Sequence, residues 1–311
     1  MKAVRFHEYG GPEVLRYEDV DRPHPATGQV LLRVAATSFN PVDAAIRAGY
    51  LQQDFPVTLP HTPGIDVAGT VAELGEGVAE WSVGDSVVGF LPMADDGASA
   101  EFVLAPAEVL TAAPTGIPLV DAAALPSASL TAWQALFEQA DLKAGQRVLI
   151  NGAGGGVGGY AVQLAKLAGA TVIATASPRS KGTVETLGAD RIVDYTSIAV
   201  TNAIPEPVDV VVNLVAASEQ DVASLTGLVA DGGVIVSTTS PAQDDPERGV
   251  RGASVFVRSD PGQLATIVDR VDSGELRVEV SERYPFSDIA RVHELGASGK
   301  FRGKVLLTPA T

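Results

Sequence analysis

The sequence contains no cysteine and only four histidines among its 311 residues. The missing cysteines exclude disulfides, thiolate catalysis and cysteine-ligated metals. The histidines are His7, His24, His61 and His293, and none forms a close pair of the HxxxH kind that holds zinc. We therefore expect no metal site, and we interpret His61, which has prolines on both sides, as support for a turn.

The chain also lacks a long hydrophobic run and an excess of positive charge. No apolar stretch approaches the roughly 20 residues that span a bilayer, and the opening MKAVRFHEYG has no apolar signal segment. Lysine and arginine number 22 against 38 acidic residues, which gives a formal net charge of −16. Such a surface repels phosphate backbones. These features predict a cytoplasmic protein that binds neither membrane nor nucleic acid.

The strand pattern changes along the chain and predicts two domains, as the length also favours. Residues 1–120 contain short β-branched segments between turn signals, such as QVLLRVAATS and DSVVGF. Over residues 121–257, apolar strands alternate with helices, which is typical of a parallel sheet covered on both faces. A further strand is expected at SVFVR. Residues 258–311 are expected to complete the first domain through the strand GKVLLTP, with Lys304 as a solvated residue at its end.

The stretch VLINGAGGGVGGYAVQLA predicts a nucleotide phosphate site between a strand and a helix. Ala153, Gly155 and Gly158 occupy the places of a GxGxxG motif. Gly155 would let the backbone approach a pyrophosphate, and Gly158 would allow close packing of helix on strand. The free N–H groups of the helix N-terminus attract phosphate. The predicted phosphate-binding residues are Ala153, Gly155, Gly156, Val157 and Gly158; a plain glycine-rich turn is the alternative.

The second strand of this region favours NADPH over NADH. Between Thr171 and Val184 the chain carries no acidic residue, and Ala176 stands where NAD-binding proteins commonly place Asp or Glu. Ser177, Arg179 and Lys181 follow. A hydroxyl and two cations suit a 2′-phosphate, because charge-assisted hydrogen bonds can hold a dianion there. The alternative is a solvated turn before a helix.

Three stretches together resemble a known family: FNPVDAAIRAGY, PHTPGIDVAGTVAELGEGVAEWSVGDSVVG and LINGAGGGVGGYAVQLAKLAGATVIATASPRSK. With GKVLL they are similar to the zinc-independent quinone oxidoreductase branch of the medium-chain dehydrogenase/reductase superfamily, over essentially the whole chain. The resemblance implies an α/β fold in which a Rossmann-type doubly wound parallel sheet is inserted into a GroES-like, mostly β catalytic domain. It also implies a substrate cleft between the domains and a homodimer joined through the cofactor domains. Zinc-dependent relatives need a cysteine and a histidine where this chain has Ser38 and the His61 region.

The resemblance also assigns site residues. Thr131 in SLTAW and Asn40 would line the nicotinamide end, and Tyr195 would lie near the adenosine phosphate. Tyr50 is the candidate proton donor, because relatives that reduce enoyl thioesters use a tyrosine after this helix. However, Tyr50 follows Gly49 directly, about one position earlier than in those relatives. An aromatic side chain that only lines the cleft is therefore the alternative.

Several of these residues also have simple structural interpretations. In FNPVDAAIRAGY, Asn40 can cap a helix that Pro41 begins, and Asp43 suits its positive first turn. Trp133 and Phe137 have helical spacing and are expected to pack in the core.

Without a metal, the chemistry depends on an acceptor that is already electrophilic. The cofactor carries the hydride, and the protein positions and polarises the acceptor. Quinones fit this requirement, and so do alkenes conjugated to a carbonyl. We therefore predict an NADPH-dependent quinone oxidoreductase. The alternatives are an NADPH-dependent enoyl or 2-alkenal reductase and a non-catalytic NADPH-binding sensor.

Overall fold

The computed structural model describes residues 1–310 and divides into two compact units. Unit 1 comprises Met1–Ser127, Ser259–Gly274 and the chain from Val278 onward, and unit 2 comprises Ala128–Arg258 and Glu275–Arg277. The first boundary therefore follows Ser127 rather than residue 120. Within the described residues, every helix is too short or too polar to cross a membrane.

The N-terminal part of unit 1 is mostly β structure. Its strands are β1 (Lys2–Phe6), β2 (Leu15–Asp19), β3 (Gln29–Ser38), β4 (Asp66–Leu74), β5 (Ser86–Phe90), β6 (Phe102–Pro106) and β7 (Leu110–Ala112). Its α-helices are α1 (Pro41–Ala48) and α2 (Leu119–Ala122). Apolar side chains from these strands, such as Val30, Leu32 and Val34 of β3, are buried in one core. His61 exchanges two backbone hydrogen bonds of 3.0 Å with Phe6 and therefore anchors its turn to β1.

The parallel sheet of unit 2 has the strand order of a dinucleotide-binding fold. Its elements are α3 (Pro126–Trp133, which starts in unit 1), β8 (Arg147–Asn151), α4 (Gly156–Leu167), β9 (Thr171–Ala176), α5 (Lys181–Thr186), β10 (Arg191–Asp194), α6 (Val200–Ala203), β11 (Val208–Asn213), α7 (Glu219–Thr226), β12 (Val229–Ser237) and β13 (Arg251–Ser254). The strands run in the order β10-β9-β8-β11-β12-β13. Counted from β8, this is the order 3-2-1-4-5-6. The predicted Rossmann-type sheet is confirmed.

The C-terminal elements rejoin unit 1. They are α8 (Pro261–Asp272), β14 (Val280–Pro285), α9 (Ile289–Ala297) and β15 (Lys304–Thr308). The sheet of unit 1 has the order β14-β15-β3-β4-β5-β7, and β6 also pairs with β3. β15 runs antiparallel to β3, with Leu306 opposite Ser38 and Leu307 opposite Thr37. This register places the start of β15 beside the end of β3.

The strand predicted at SVFVR is wrong in position. The structure instead forms β13 over Arg251–Ser254. β13 pairs with β12 in parallel, and its last residue, Ser254, lies opposite Ser237, the last residue of β12. Because its partner strand ends there, the pairing stops, and Phe256 is 66% exposed. Most of the stretch SVFVR, from Val255 to Arg258, therefore lies beyond the end of the strand.

Candidate functional site

The predicted site residues fall in both units. Asn40 and Tyr50 belong to unit 1, whereas the glycine stretch, the residues from Ser177 to Lys181, and Tyr195 belong to unit 2. Thr131 also belongs to unit 2 and is buried in α3. Each unit therefore holds one candidate site with its own geometry.

Gly155 and Gly158, in the loop before and at the start of α4 (the glycine loop, residues 152–158), differ in the space that a side chain would find. A Cβ on Gly158 would lie 2.4 Å from the carbonyl oxygen of Gly152 and 2.5 Å from the Cα of Ala153, so α4 and the loop leave no room for one. A Cβ on Gly155 would meet only the Gly152 oxygen, at 3.5 Å, and its φ of −91° suits any residue. Gly155 is exposed at the N-terminus of α4, and Gly156 begins the helix. Packing explains Gly158, but nothing in this part of the fold requires a glycine at 155.

A row of polar side chains crosses the carboxyl ends of the central strands and holds the glycine loop. Thr175 donates to the side-chain oxygen of Asn151 (2.9 Å) and accepts from the N–H of Gly152 (2.8 Å). Asn151 donates to Asn213 (2.9 Å), which in turn donates to Ser237 (3.2 Å). Dinucleotides bind outside this edge of such sheets. The sequence reasoning missed the row, although a polar residue at or near the end of each apolar strand was its visible signal.

The loop that carries the predicted basic residues lies against the glycine loop. A Cβ on Gly154 would be 2.5 Å from the hydroxyl oxygen of Ser180. The carbonyl oxygen of Ser177 accepts hydrogen bonds of 3.0 Å from the N–H groups of Ser180 and Lys181. Ser177 is buried at 8% exposure, whereas Arg179 and Lys181 are exposed. The structure therefore brings the two predicted stretches together in unit 2.

Two acidic residues, Glu185 and Asp194, interact with the charge of Lys181. Its Nζ lies 3.8 Å from a carboxylate oxygen of Glu185. Hydrogen bonds from Thr196, with a smaller contribution from the charge of Lys181, hold the pKa of Asp194 below its usual value. Tyr195, beside Asp194, is about half exposed. A ligand phosphate at Lys181 would compete with these carboxylates.

In unit 1, Asn40 belongs to a buried cluster of hydrogen-bonding side chains. Its Oδ1 accepts from Lys304 Nζ (2.8 Å) and from the hydroxyl of Ser127 (3.1 Å). Its Nδ2 donates to Asp66 Oδ2 (2.9 Å) and, over a longer distance, to the carbonyl oxygen of Ser38 (3.3 Å). Asn40 is 8% exposed, which is more than Lys304, Ser127, Ser38 or Asp66. Asn40 is the N-cap residue of α1, as the sequence predicts, and its side chain also joins this cluster.

The expectation that Lys304 is solvated is wrong. Lys304 is only 4% exposed, and its Nζ lies 3.2 Å from Oδ2 of Asp66, which is fully buried. Asp66 also accepts from the backbone N–H of Ser127 (2.7 Å) and from the Ser38 hydroxyl. The register of β15 against β3 turns this lysine inward, which the short motif GKVLL could not indicate.

Asp43 is a second buried carboxyl beside this cluster. Its Oδ2 accepts from the N–H of Asn40 (3.2 Å), as expected for an acid in the first turn of α1. Its Oδ1 accepts from the N–H groups of Gly64 (3.1 Å) and Ile65 (3.3 Å). Complete burial, followed by the neighbouring charge of Asp66, raises the pKa of Asp43 to about 7. Asp43 therefore ties α1 to the chain before β4.

Tyr50 lies at the surface of unit 1. It follows Gly49, which ends α1 in the left-handed region at φ 81°. Its side chain is 83% exposed. The phenol is therefore accessible to solvent and to a ligand that reaches this surface.

The described part of the chain assembles no set of side chains suited to zinc. Among residues 1–310, no group of three histidine or acidic side chains is close enough to share a metal ion. The chain has no cysteine to add a thiolate. Ser38 stands where the resemblance places a ligand in zinc-dependent relatives, and its hydroxyl donates a hydrogen bond to Asp66. Four protein ligands for structural zinc, or three for catalytic zinc, are not assembled in this part of the chain.

Two family models match the chain. Residues 26–115 match the alcohol dehydrogenase GroES-like domain, and residues 187–307 match a family described as zinc-binding dehydrogenase. A chloroplastic quinone-oxidoreductase homolog of Spinacia oleracea is 41% identical over 201 residues. That match covers 63% of this chain and 61% of the relative, so the chain matches less than two thirds of the plant protein.

Other relatives match over nearly the full length. The quinone oxidoreductase of Rattus norvegicus is 33% identical over 99% of this chain and 97% of its own length. The solved quinone oxidoreductase of Coxiella burnetii superposes with a TM-score of 0.89 at 33% identity, covering 100% of this chain and 99% of that one. The CurK enoyl reductase superposes with a TM-score of 0.87 at 27% identity, covering 99% of each chain. The chain belongs to the quinone oxidoreductase branch of the medium-chain dehydrogenase/reductase superfamily.

Proposed function

We propose that this chain is an NADPH-dependent oxidoreductase that reduces quinones or other conjugated carbonyl acceptors without a metal. The observation that carries the proposal is the exposed Gly155 at the N-terminus of α4, with the basic loop packed beside it. The fold does not need a glycine at this position, and a pyrophosphate approaching the backbone does.

The basic loop would hold the 2′-phosphate of NADPH. Ser177 supplies a hydroxyl, and the exposed Arg179 and Lys181 supply positive charge in a chain of net charge −16. Ala176 ends β9 where an acid would select NADH. Hydrogen bonds to charged groups contribute about 1.5–3 kcal/mol each, which corresponds to roughly 10- to 100-fold in affinity.

The cofactor assignment can be tested with a double variant. Arg179→Ala/Lys181→Ala is expected to raise the Kd of NADPH roughly 10- to 100-fold or more and to change that of NADH little. Arg191→Ala is the matched control, since Arg191 is an exposed arginine in the same unit that donates to the carbonyl oxygen of Ala203. An equal loss of affinity for NADPH and NADH would contradict the proposal that this loop binds the 2′-phosphate.

When bound, NADPH supplies the hydride, and the chain supplies position and hydrogen-bond donors. A quinone that accepts one hydride and one proton becomes a hydroquinone, and negative charge develops on its oxygen during the transfer. The N–H of Asn40 that makes the longer bond to Ser38 is the donor we assign to this oxygen. The exposed phenol of Tyr50 is the group we assign to proton donation.

The proposal needs no Lewis acid. Zinc activates alcohols that are otherwise unreactive, whereas quinones and enones are electrophilic already. The donor set in residues 1–310 offers no place for zinc. A metal-independent reaction is therefore part of the proposal, although the matched family model is described as zinc-binding.

Reduction of carbon–carbon double bonds is the second candidate, supported by the likeness to the CurK enoyl reductase. The decisive experiment measures NADPH oxidation with 1,4-naphthoquinone, with trans-2-hexenal and with crotonyl-coenzyme A. We expect the highest kcat/KM with the quinone. Turnover of only the two alkenes would favour the second candidate, and tight NADPH binding without turnover of any acceptor would indicate a sensor.

A homodimer joined through unit 2 belongs to the same proposal. β13 is one of the two edge strands of the parallel sheet, and edge strands offer backbone groups for pairing with a second chain. Light scattering on the purified chain is expected to give the mass of two copies. A monomeric mass would contradict this part of the proposal.

A further inference from the structure

We infer that Lys304 is a positioning residue for the reduction and acts by fixing the carboxamide of Asn40. The inference rests on the proposed function, because it needs Asn40 to contact the acceptor. Lys304 is not itself assigned a contact with substrate or cofactor.

The sheet register brings the two side chains together. Leu306 pairs with Ser38 across the antiparallel strands β15 and β3, and the N–H of Phe39 donates to the carbonyl oxygen of Val305 (2.9 Å). Continuing this register by two residues on each strand places Lys304 opposite Asn40. The 2.8 Å bond between Lys304 Nζ and Asn40 Oδ1 is the result.

Lys304 fixes the carboxamide of Asn40 from its oxygen side. An ammonium group only donates hydrogen bonds, so the atom it contacts must be the amide oxygen. The amide nitrogen is then turned towards Asp66, to which it donates over 2.9 Å. Without Lys304, Ser127 would be the remaining donor to this oxygen, and a hydroxyl can donate or accept equally well. Lys304 at the oxygen and Asp66 at the nitrogen therefore fix together that a donor, not an acceptor, faces Ser38 and any ligand beside it. In an Asp66→Asn variant, Lys304 is the charged group left to fix this orientation.

The buried ion pair of this cluster contributes little net stability to the fold. Lys304 and Asp66 are both buried, and taking two charges out of water costs about as much as their attraction returns. A packed apolar pair would hold β15 against β3 at least as firmly. What an apolar pair cannot do is orient the side chain of Asn40, the most exposed member of the cluster. Orientation of Asn40 is therefore the role we assign to the buried charge.

The test compares two variants that both lack the ion pair. Asp66→Asn removes the carboxylate but keeps the Lys304–Asn40 bond, and Lys304→Met/Asp66→Asn removes both. Each is measured for kcat and KM with the acceptor, for the Kd of NADPH and for the thermal midpoint. The double variant leaves no charge in the cluster and so avoids the unpaired carboxylate that Lys304→Met alone would bury, while Asp66→Asn keeps the ammonium that donates to Asn40.

If Lys304 positions Asn40, the double variant has a kcat at least about tenfold below that of Asp66→Asn, because small displacements in a reacting geometry are costly. Its thermal midpoint is no lower than that of Asp66→Asn, because that variant buries an unpaired ammonium, and its Kd for NADPH equals that of Asp66→Asn. Equal kcat values in the two variants would overturn the inference, as would a loss of kcat that follows the thermal midpoint. Failure of the proposed function is seen separately, because the wild-type chain would then show no NADPH oxidation with any of the acceptors tested.

Discussion

His293 makes unit 1 sensitive to acid through a buried neutral imidazole. The ring lies on α9, where its Nδ1 accepts a hydrogen bond from Nη1 of Arg47 (3.2 Å). Arginine only donates, so the ring proton is on Nε2. Phe39 packs edge-on against the imidazole at a centroid distance of 5.1 Å. Burial and then the charge of Arg47 lower the pKa of His293 from 6.5 to about 3.

The sign of the effect follows from the lowered pKa. The unfolded chain binds a proton at His293 as the pH falls through 6.5, while the folded chain stays neutral until about 3. The stabilisation is therefore complete above pH 6.5 and is lost as the pH falls towards 3. At 1.36 kcal/mol per pH unit, His293 alone removes about 2.5 kcal/mol of unfolding free energy between pH 7 and about pH 4.5.

Urea unfolding of the wild type and of His293→Asn at both pH values measures this contribution. Asparagine keeps an acceptor near the position of Nδ1 but does not titrate, so the variant should lose about 2.5 kcal/mol less than the wild type on acidification. An identical pH dependence in His293→Asn and the wild type would refute the assigned burial of a neutral ring.

Three further predictions concern the glycine loop, Tyr50 and Asp43. Gly158→Ala should lower the unfolding free energy by about 1–3 kcal/mol, because its Cβ would overlap the loop, whereas Gly155→Ala should change it by about 1 kcal/mol or less and abolish NADPH binding in a fluorescence titration. Tyr50→Phe should leave the thermal midpoint unchanged and lower kcat roughly 100-fold; an unchanged kcat would assign the proton to water. The wild type should lose about 3.5 kcal/mol of unfolding free energy through Asp43 as the pH rises from about 4 to 7, because the raised pKa makes ionisation costly in the folded state. Asp43→Asn should not show this loss in urea unfolding; an unaltered pH dependence would contradict this.

The parallel sheet could be predicted because its signals are local. Apolar strands, the glycine stretch and helical spacing follow one another within short segments, and the strand order of unit 2 agrees with the expectation. The strand at SVFVR was misplaced because sheet membership depends on where the partner strand ends. Ser254 pairs with the last residue of β12, and periodicity carries no information on that.

The buried cluster of unit 1 could not be predicted for the same kind of reason. Lys304 and Asn40 are far apart in the sequence, and only the pairing of β15 with β3 brings them within 2.8 Å. A lysine beside a terminal strand is usually solvated, so the local pattern favoured the wrong environment. Asp66 was not singled out because a single acid at the start of a strand has no motif.

The central claim is tested most directly by one steady-state assay. NADPH oxidation with 1,4-naphthoquinone is measured on the purified chain in the presence of a metal chelator, and the same assay is repeated with NADH. We predict turnover that the chelator does not reduce, with kcat/KM at least about tenfold higher for NADPH than for NADH. Absence of turnover, loss of turnover on chelation, or a preference for NADH would contradict the proposed metal-independent NADPH chemistry.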